Sequence, residues 1–245
     1  MKVTTTNSSV KQPVAIAAGM RRRVREQAWR ILRPVRLGAL GRTQPLSREW
    51  GYDRGKPIDR FYIDAFIEAH RGDITGRVLE IKDSRYTDRF GTGVTQRDVL
   101  DVDATNPRAT FVVDLAAADA VPSQAFDCCI VTQTLQYIFD VQAGVRHLHR
   151  VLRPGGVLLA TVPVLSKLLD PAMGYTDFWR FTPDSCNRLF RPVFGEGNVA
   201  VEGHGNVLTS IAFLSGMAQE ELSRADFEHE DPLYPMILTI RAVRR

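Results

Sequence analysis

The sequence contains no G-x-G-x-x-G stretch, which argues against a nicotinamide dinucleotide site. It has three cysteines, two of them adjacent at Cys128 and Cys129. That is too few for a disulfide framework and suits a reducing, cytoplasmic compartment. No Cys/His cluster has zinc-ligand spacing, so no metal is expected. No apolar run approaches the roughly 20 residues of a membrane-spanning helix, and nothing repeats at solenoid periods. Acidic residues are nearly missing from the first 48 positions. Glu26 stands alone there against eleven Lys/Arg, giving +10, while the remaining 197 residues sum to −6. The net charge of +4 therefore belongs to an arm attached to a mildly acidic body.

What is present fits a globular chain: 245 residues, 44% hydrophobic and 24% charged. We expect a basic, partly disordered extension over residues 1–45 and one folded domain over 46–245. Residues 1–13 are polar, with Ser and Thr runs. Over 20–35, Met20, Val24, Ala28, Ile31 and Leu32 recur at helical spacing with arginines opposite, and Pro34 stops the pattern. Such a segment (20–36) suits an anionic membrane surface, nucleic acid phosphates or packing on the body. An Arg-rich, acid-poor start also has the composition of a transit peptide.

Within the body, turn residues Gly51, Gly55 and Pro57 precede a helix carrying Phe61, Ile63, Phe66 and Ile67, with Asp59 expected as its cap. Short apolar strands are expected at 78–81, 99–103, 109–113, 128–132, 157–162, 199–202 and 234–243. Helices are expected over 141–152, from Thr182-Pro183 onward, and over about 207–222. Short apolar runs alternating with helices indicate a parallel sheet covered on both faces. One long helix between the last two strands allows the final strand to insert, antiparallel, beside strand five.

Four segments, "VLEIKDSRY" at 78–86, "VLDVDATNP" at 99–107, "FVVDLAAADAVPSQAFDCCIVTQTLQYI" at 111–138 and "LHRVLRPGGVLLATVP" at 148–163, resemble the class I S-adenosylmethionine-dependent methyltransferases. The resemblance covers about residues 60–245. It implies an α/β, Rossmann-like sheet of seven strands, mostly parallel with the last antiparallel, and helices on both faces. It further implies S-adenosyl-L-methionine as cofactor, lying across the carboxyl ends of the first four strands. By position, Glu80 matches the acid that helps hold the amino acid end, and Lys82, Asp83 and Ser84 occupy a loop that is glycine-rich in the family. Asp103, or Asp101 two residues earlier, matches the ribose-binding acid. Asp114 and Leu115 match the adenine contacts, and Thr132 and Gln133 the residues beneath the methionine portion. The ligand has no phosphates, so the demand for a bare backbone loop is softer than in dinucleotide enzymes.

Methyl transfer needs an acceptor held in line in a dry site, and a base if the acceptor is an oxygen of high pKa. Tyr175, Trp179 and Arg180 in "MGYTDFWRFTP", 173–183, offer an aromatic wall and a cation for a small or glycan-like acceptor; the plainer alternative is Arg180 tied to Asp177 at the sheet edge. His204, between two glycines, is the candidate base. Tyr52, Asp53, Arg54 and Tyr62 are candidates for a lid. Two functions stand on this reading: methyl transfer, and a non-catalytic Rossmann-like binding module that uses the basic arm for a membrane, nucleic acid or protein partner.

Overall fold

The computed structural model describes Gly38, Gly41, residues 43–170, Ala172 and residues 174–245. The helix expected over 20–35 lies outside the described residues. The chain divides into two compact units, Met1–Thr43 and Gln44–Arg245. The second unit holds the sheet.

That unit runs α1 (Asp59–Ala69), β1 (Gly76–Ile81), α2 (Arg85–Phe90), β2 (Val94–Asp101), β3 (Phe111–Val112), β4 (Phe126–Thr132), α3 (Val141–Val151), β5 (Leu152–Pro163), α4 (Pro183–Phe194), β6 (Val199–His204), α5 (Val207–Ser215), α6 (Arg224–Glu228) and β7 (Ile237–Val243). The sheet order is β3-β2-β1-β4-β5-β7-β6. Six strands run parallel, and β7 lies antiparallel between β5 and β6. The inserted last strand and the seven-stranded Rossmann-like sheet are as the sequence led us to expect.

Strand alternation builds two cores. In β4, Cys128 and Ile130 face α1, α2 and α5, while Cys129 and Val131 face α3 and α4. All three cysteines are free and buried, which raises each thiol pKa. Each fully buried large side chain contributes about 1.5–3 kcal/mol against leaving it in water.

Several boundaries differ from expectation. β2 starts five residues early, because Thr95, Gln96 and Arg97 extend it with polar side chains, and it ends at Asp101. Asp59 does not cap α1: it is the first helical residue, the N-cap Ile58 makes no side-chain bond, and the Asp59 carboxyl is buried. The single helix expected to Leu222 stops at Ser215. Gly216 takes a left-handed φ of 73° there, and a Cβ on it would meet the Ser47 carbonyl at 2.3 Å. At Thr182-Pro183 the helix start is as read: Thr182 Oγ1 accepts from Ser185 N–H at 3.2 Å, and the Ser185 hydroxyl returns a bond to the cap.

Candidate functional site

Parallel strands end on one rim, and their carboxyl ends gather the side chains singled out above. At the end of β1 the loop has only three residues before α2. Lys82 occupies it with φ 74°, the conformation glycine adopts without strain. The backbone thus reaches the glycine-like geometry with a lysine whose side chain points to solvent. Glu80 is buried and turned toward α2. Its carboxylate accepts the N–H of Tyr86 at 3.0 Å, the N–H of Thr87 at 2.8 Å and the Thr87 hydroxyl at 2.7 Å. Burial pushes the Glu80 pKa up to about 7, with those bonds pulling the other way. Asp83 accepts from Arg85, through its backbone N–H at 3.0 Å and its guanidinium at 3.1 Å, and Ser84 donates to Asp88 at 2.7 Å. Arg85 is exposed, and Tyr86 packs into the core below α2.

Asp101 is the last residue of β2. It is buried, and its carboxylate accepts from Asp103 N–H at 3.2 Å and Asn106 Nδ2 at 2.7 Å. Asp103 sits two residues past the strand, exposed, accepting from the Thr105 backbone and hydroxyl; those bonds lower its pKa. Asp114 is engaged locally with the Ala116 N–H at 2.8 Å, and Leu115 beside it is buried. Thr132 ends β4. Gln133 follows with φ 49°, donating to the Thr161 carbonyl at 2.9 Å. Two non-glycine residues with left-handed backbone, Lys82 and Gln133, therefore end neighbouring strands. Such strain collects where a site over-determines its backbone.

Arg60, at the start of α1, was not singled out by sequence reasoning, since nothing in its spacing marks it. Its Nη1 donates to the Tyr86 hydroxyl at 2.9 Å. Burial opposes its charge, but the Asp59 carboxylate with Tyr86 and Tyr52 raises its pKa. Arg60 Nε and Asp59 Oδ1 are both buried and face each other as an ion pair at 3.7 Å, too far for a hydrogen bond. Tyr137, after β4, is half-buried; burial raises its phenol, which also feels the charges of Asp177, Arg180 and Arg60. The Arg60 charge is thus matched by Asp59, and its Nη1 is anchored on Tyr86 of α2.

The segment after β5 is stapled by Arg180. Its guanidinium donates to both Asp177 oxygens at 2.6 and 2.9 Å, to the Trp179 carbonyl at 2.8 Å and to the Lys167 carbonyl at 2.9 Å. This matches the plainer reading of Arg180. Trp179 Nε1 donates to the Ile138 carbonyl at 2.9 Å, leaving its ring half-exposed beside Phe139 and Phe178. Tyr175 is also exposed; partial burial raises its phenol pKa, as do the Asp101 and Asp103 charges, which puts it within electrostatic reach of the end of β2. His204 stands at the end of β6, but both ring nitrogens are taken: Nδ1 lies 2.7 Å from Glu230 Oε1 and Nε2 3.0 Å from Thr239 Oγ1. Of the lid candidates, Tyr62 is a core residue donating to the Phe227 carbonyl, Asp53 accepts from Ser47, and Arg54 is paired with Glu221. Tyr52 is exposed. Trp50 Nε1 donates to Ser166 at 3.3 Å and so ties this segment to the one after β5.

Residues 75–160 match the family model of the methyltransferase domain. A crystal structure of an S-adenosylmethionine-dependent methyltransferase from Mesorhizobium loti is similar over 79% of this chain and 100% of its own, at 16% identity and a TM-score of 0.50. One from Archaeoglobus fulgidus is similar over 76% of this chain and 94% of its own, at 13% identity and a TM-score of 0.50. At such identities the likeness is one of fold. No curated protein matches the sequence. Among the described residues, no helix is long and apolar enough to cross a membrane, and no group of acidic, His and Cys side chains is placed to hold a metal.

Proposed function

We propose that this chain, a class I S-adenosylmethionine-dependent methyltransferase by its sheet and by the match of residues 75–160, methylates an oxygen of a small-molecule or glycan-like acceptor. The observation that carries the reading is the convergence at one rim of a short glycine-like loop at Lys82, a buried acid at Asp101, a second left-handed turn at Gln133 and exposed aromatic rings opposite. The bound cofactor supplies an electrophilic methyl group on a sulfonium.

In this proposal Asp101 accepts the ribose hydroxyls, being the acid that the strand itself positions, and Asp103 stands outside it. Asp114 and Leu115 flank the adenine, and Thr132 and Gln133 lie under the methionine portion. Arg60, held beside the loop by its bond to the Tyr86 hydroxyl, receives the carboxylate of that portion. Lys82, Asp83 and Ser84 shape the loop, and Glu80 acts through α2 rather than by touching the ligand. Tyr175, Phe178 and Trp179 offer flat faces to a sugar-like ring and exclude water from it, while Arg180 holds that wall in place. His204 is a strut of the rim, so the acceptor's proton must leave to another base; Tyr175 in the wall and Tyr137, which feels the charges of Asp177 and Arg180, are the candidates. The basic arm, residues 1–48, suits an anionic partner.

Calorimetry with S-adenosylmethionine and S-adenosylhomocysteine tests the reading. We expect micromolar affinity that falls about tenfold or more in Asp101→Ala, one lost charged hydrogen-bond acceptor being equivalent to about 1.5–3 kcal/mol. Asp103→Ala should change it less than about threefold. Absence of heat with either ligand returns the chain to the class of non-catalytic binding modules.

A further inference from the structure

The connection between β2 and β3 has no helix. The parallel links from β1 to β2, β4 to β5 and β5 to β6 each carry one and that from β3 to β4 a single 3-10 turn (Leu115–Ala117), whereas residues 102–110 return to β3 as a bare turn. Crossovers between parallel strands are right-handed in nearly all cases. The steps from β1 to β2 and from β2 to β3 move in the same direction across the sheet. A helix after β2 would therefore lie beside α2, on the same face. Its place is left as a groove of about 710 Å³, with Val99 of β2 in its lining.

Around that groove stand four arginines and a single carboxylate. Arg85 and Arg89 come from α2, Arg97 from β2 and Arg108 from the bare turn, with Asp88 as the one acid. The body as a whole sums to −6 over residues 49–245, so this is a local reversal of sign. Three of the guanidinium groups have carboxylate partners, Arg85–Asp83 at 3.1 Å, Arg89–Asp64 at 2.6 Å and Arg97–Asp88 at 2.7 Å. All three side chains are more than half exposed, at 66, 55 and 51%. Pairs so placed are worth about 0–1 kcal/mol, and a stronger anion can replace them. Arg108 makes no ion pair among the described residues.

We propose that this groove, which borders the rim at Ser84, binds a compact phosphate ester or diphosphate at a site of its own, independently of the methyl-transfer reading. Guanidinium forks match phosphate oxygens two at a time, and several converging on one volume place more donors than any single surface pair uses. The volume falls in the range of small-ligand sites, about 300–1,000 Å³. A long polyanion is disfavoured, because beyond the groove it would run over an acidic body.

The test titrates inorganic pyrophosphate into the full chain by calorimetry and thermal denaturation, comparing the natural sequence with R97Q/R108Q and with R191Q/R224Q, which removes two charges elsewhere. Saturable binding with a raised Tm is expected, weakened about tenfold or more in R97Q/R108Q and unchanged in R191Q/R224Q. S-adenosylhomocysteine affinity should stay the same in R97Q/R108Q. If circular dichroism shows that variant unfolded, R89Q/R108Q takes its place on the same criteria. Equal weakening in both charge-matched pairs, undiminished binding in the groove variant, or no saturable binding overturns the proposal. So does a 20-nucleotide single strand that binds tighter than pyrophosphate and loses its affinity in the groove variant, or a loss of S-adenosylhomocysteine binding there, which would make the groove part of the rim site.

Discussion

The side-chain amide of Asn106 donates to the Lys82 carbonyl at 2.7 Å, and the same nitrogen lies 2.7 Å from the Asp101 carboxylate. One residue from the turn after β2 thus fixes both the loop after β1 and the acid proposed for the ribose. Because Lys82 holds a left-handed backbone at a cost of about 1–2 kcal/mol, Lys82→Gly should relieve that strain while adding freedom to the unfolded chain. The expected result is stability within about 1 kcal/mol of the natural protein. Lys82→Val, β-branched in the same conformation, should lose about 1–2 kcal/mol more. Asn106→Ala should cost about 1–2 kcal/mol and weaken S-adenosylhomocysteine binding. Urea denaturation and calorimetry read all three; a Val variant as stable as the Gly variant would contradict the assigned backbone.

Much of this architecture was legible in the residues, for reasons that can be located. The alternation in β4, Cys128 and Ile130 against Cys129 and Val131, fits a strand covered on both faces, and it is. The "RPGG" residues, 153–156, between the expected helix and strand five, form an excursion within β5: Leu152 pairs with Phe126, and Val157 with Cys128 after a shift of register. The helix to Leu222 was misread because a glycine inside an apolar pattern looks like a tolerated defect; Gly216 is a terminator only once Ser47 packs against it. The polar start of β2 was invisible to a search for apolar runs. At the site, the resemblance to the methyltransferases pointed to Asp103, with Asp101 as the alternative, but the choice between them depends on where the ladder stops. Arg60 and Asn106 carry no pattern at all. Their importance lies in distances across the fold.

Glu80 gives the protein a pH dependence of definite sign. Its carboxyl titrates at about 7 in the fold against an ordinary 4.5, because burial penalises the charge. A raised folded pKa means that its contribution to stability is fully present below about 4.5 and is lost as pH rises through about 7. Glu80→Gln has no such titration. The natural protein should therefore lose ground against this variant between pH 4.5 and 8, by at most about 3 kcal/mol, and hold a constant difference above that. Denaturant midpoints for the two chains across this range provide the check. A difference independent of pH would mean that the three bonds from Tyr86 and Thr87 fully offset the burial.

His204 offers a contrast between strut and base. With Glu230 on one nitrogen and Thr239 on the other, replacement by Gln should cost about 1–2 kcal/mol in stability through the lost bonds. Turnover measured below the unfolding temperature should stay within about threefold, since a general base contributes about 100-fold or more. A hundredfold fall in kcat with an unchanged fold would restore His204 as the base.

Arg180 sets the shape of the wall proposed for the acceptor, and the distinction between holding and touching can be measured. Its bonds to Asp177 and to the carbonyls of Lys167 and Trp179 close the segment after β5 on itself. Removing it leaves the Asp177 carboxylate, itself only 7% exposed, without its cation. Losing one partner of a buried pair costs about 3–5 kcal/mol, and this pair, with Arg180 a quarter exposed, belongs below that range. Arg180→Ala should thus lose stability and admit protease between residues 164 and 182, whereas the double variant with Asp177→Ala should recover part of the loss, because no charge is left unpaired. Trp179→Phe removes the bond to the Ile138 carbonyl but keeps a ring; it should raise KM for the acceptor several-fold with little change in cofactor affinity. If Arg180→Ala instead kept its fold and protease resistance while KM rose, the guanidinium would be binding the acceptor directly, and the wall would have a charged centre rather than a charged hinge.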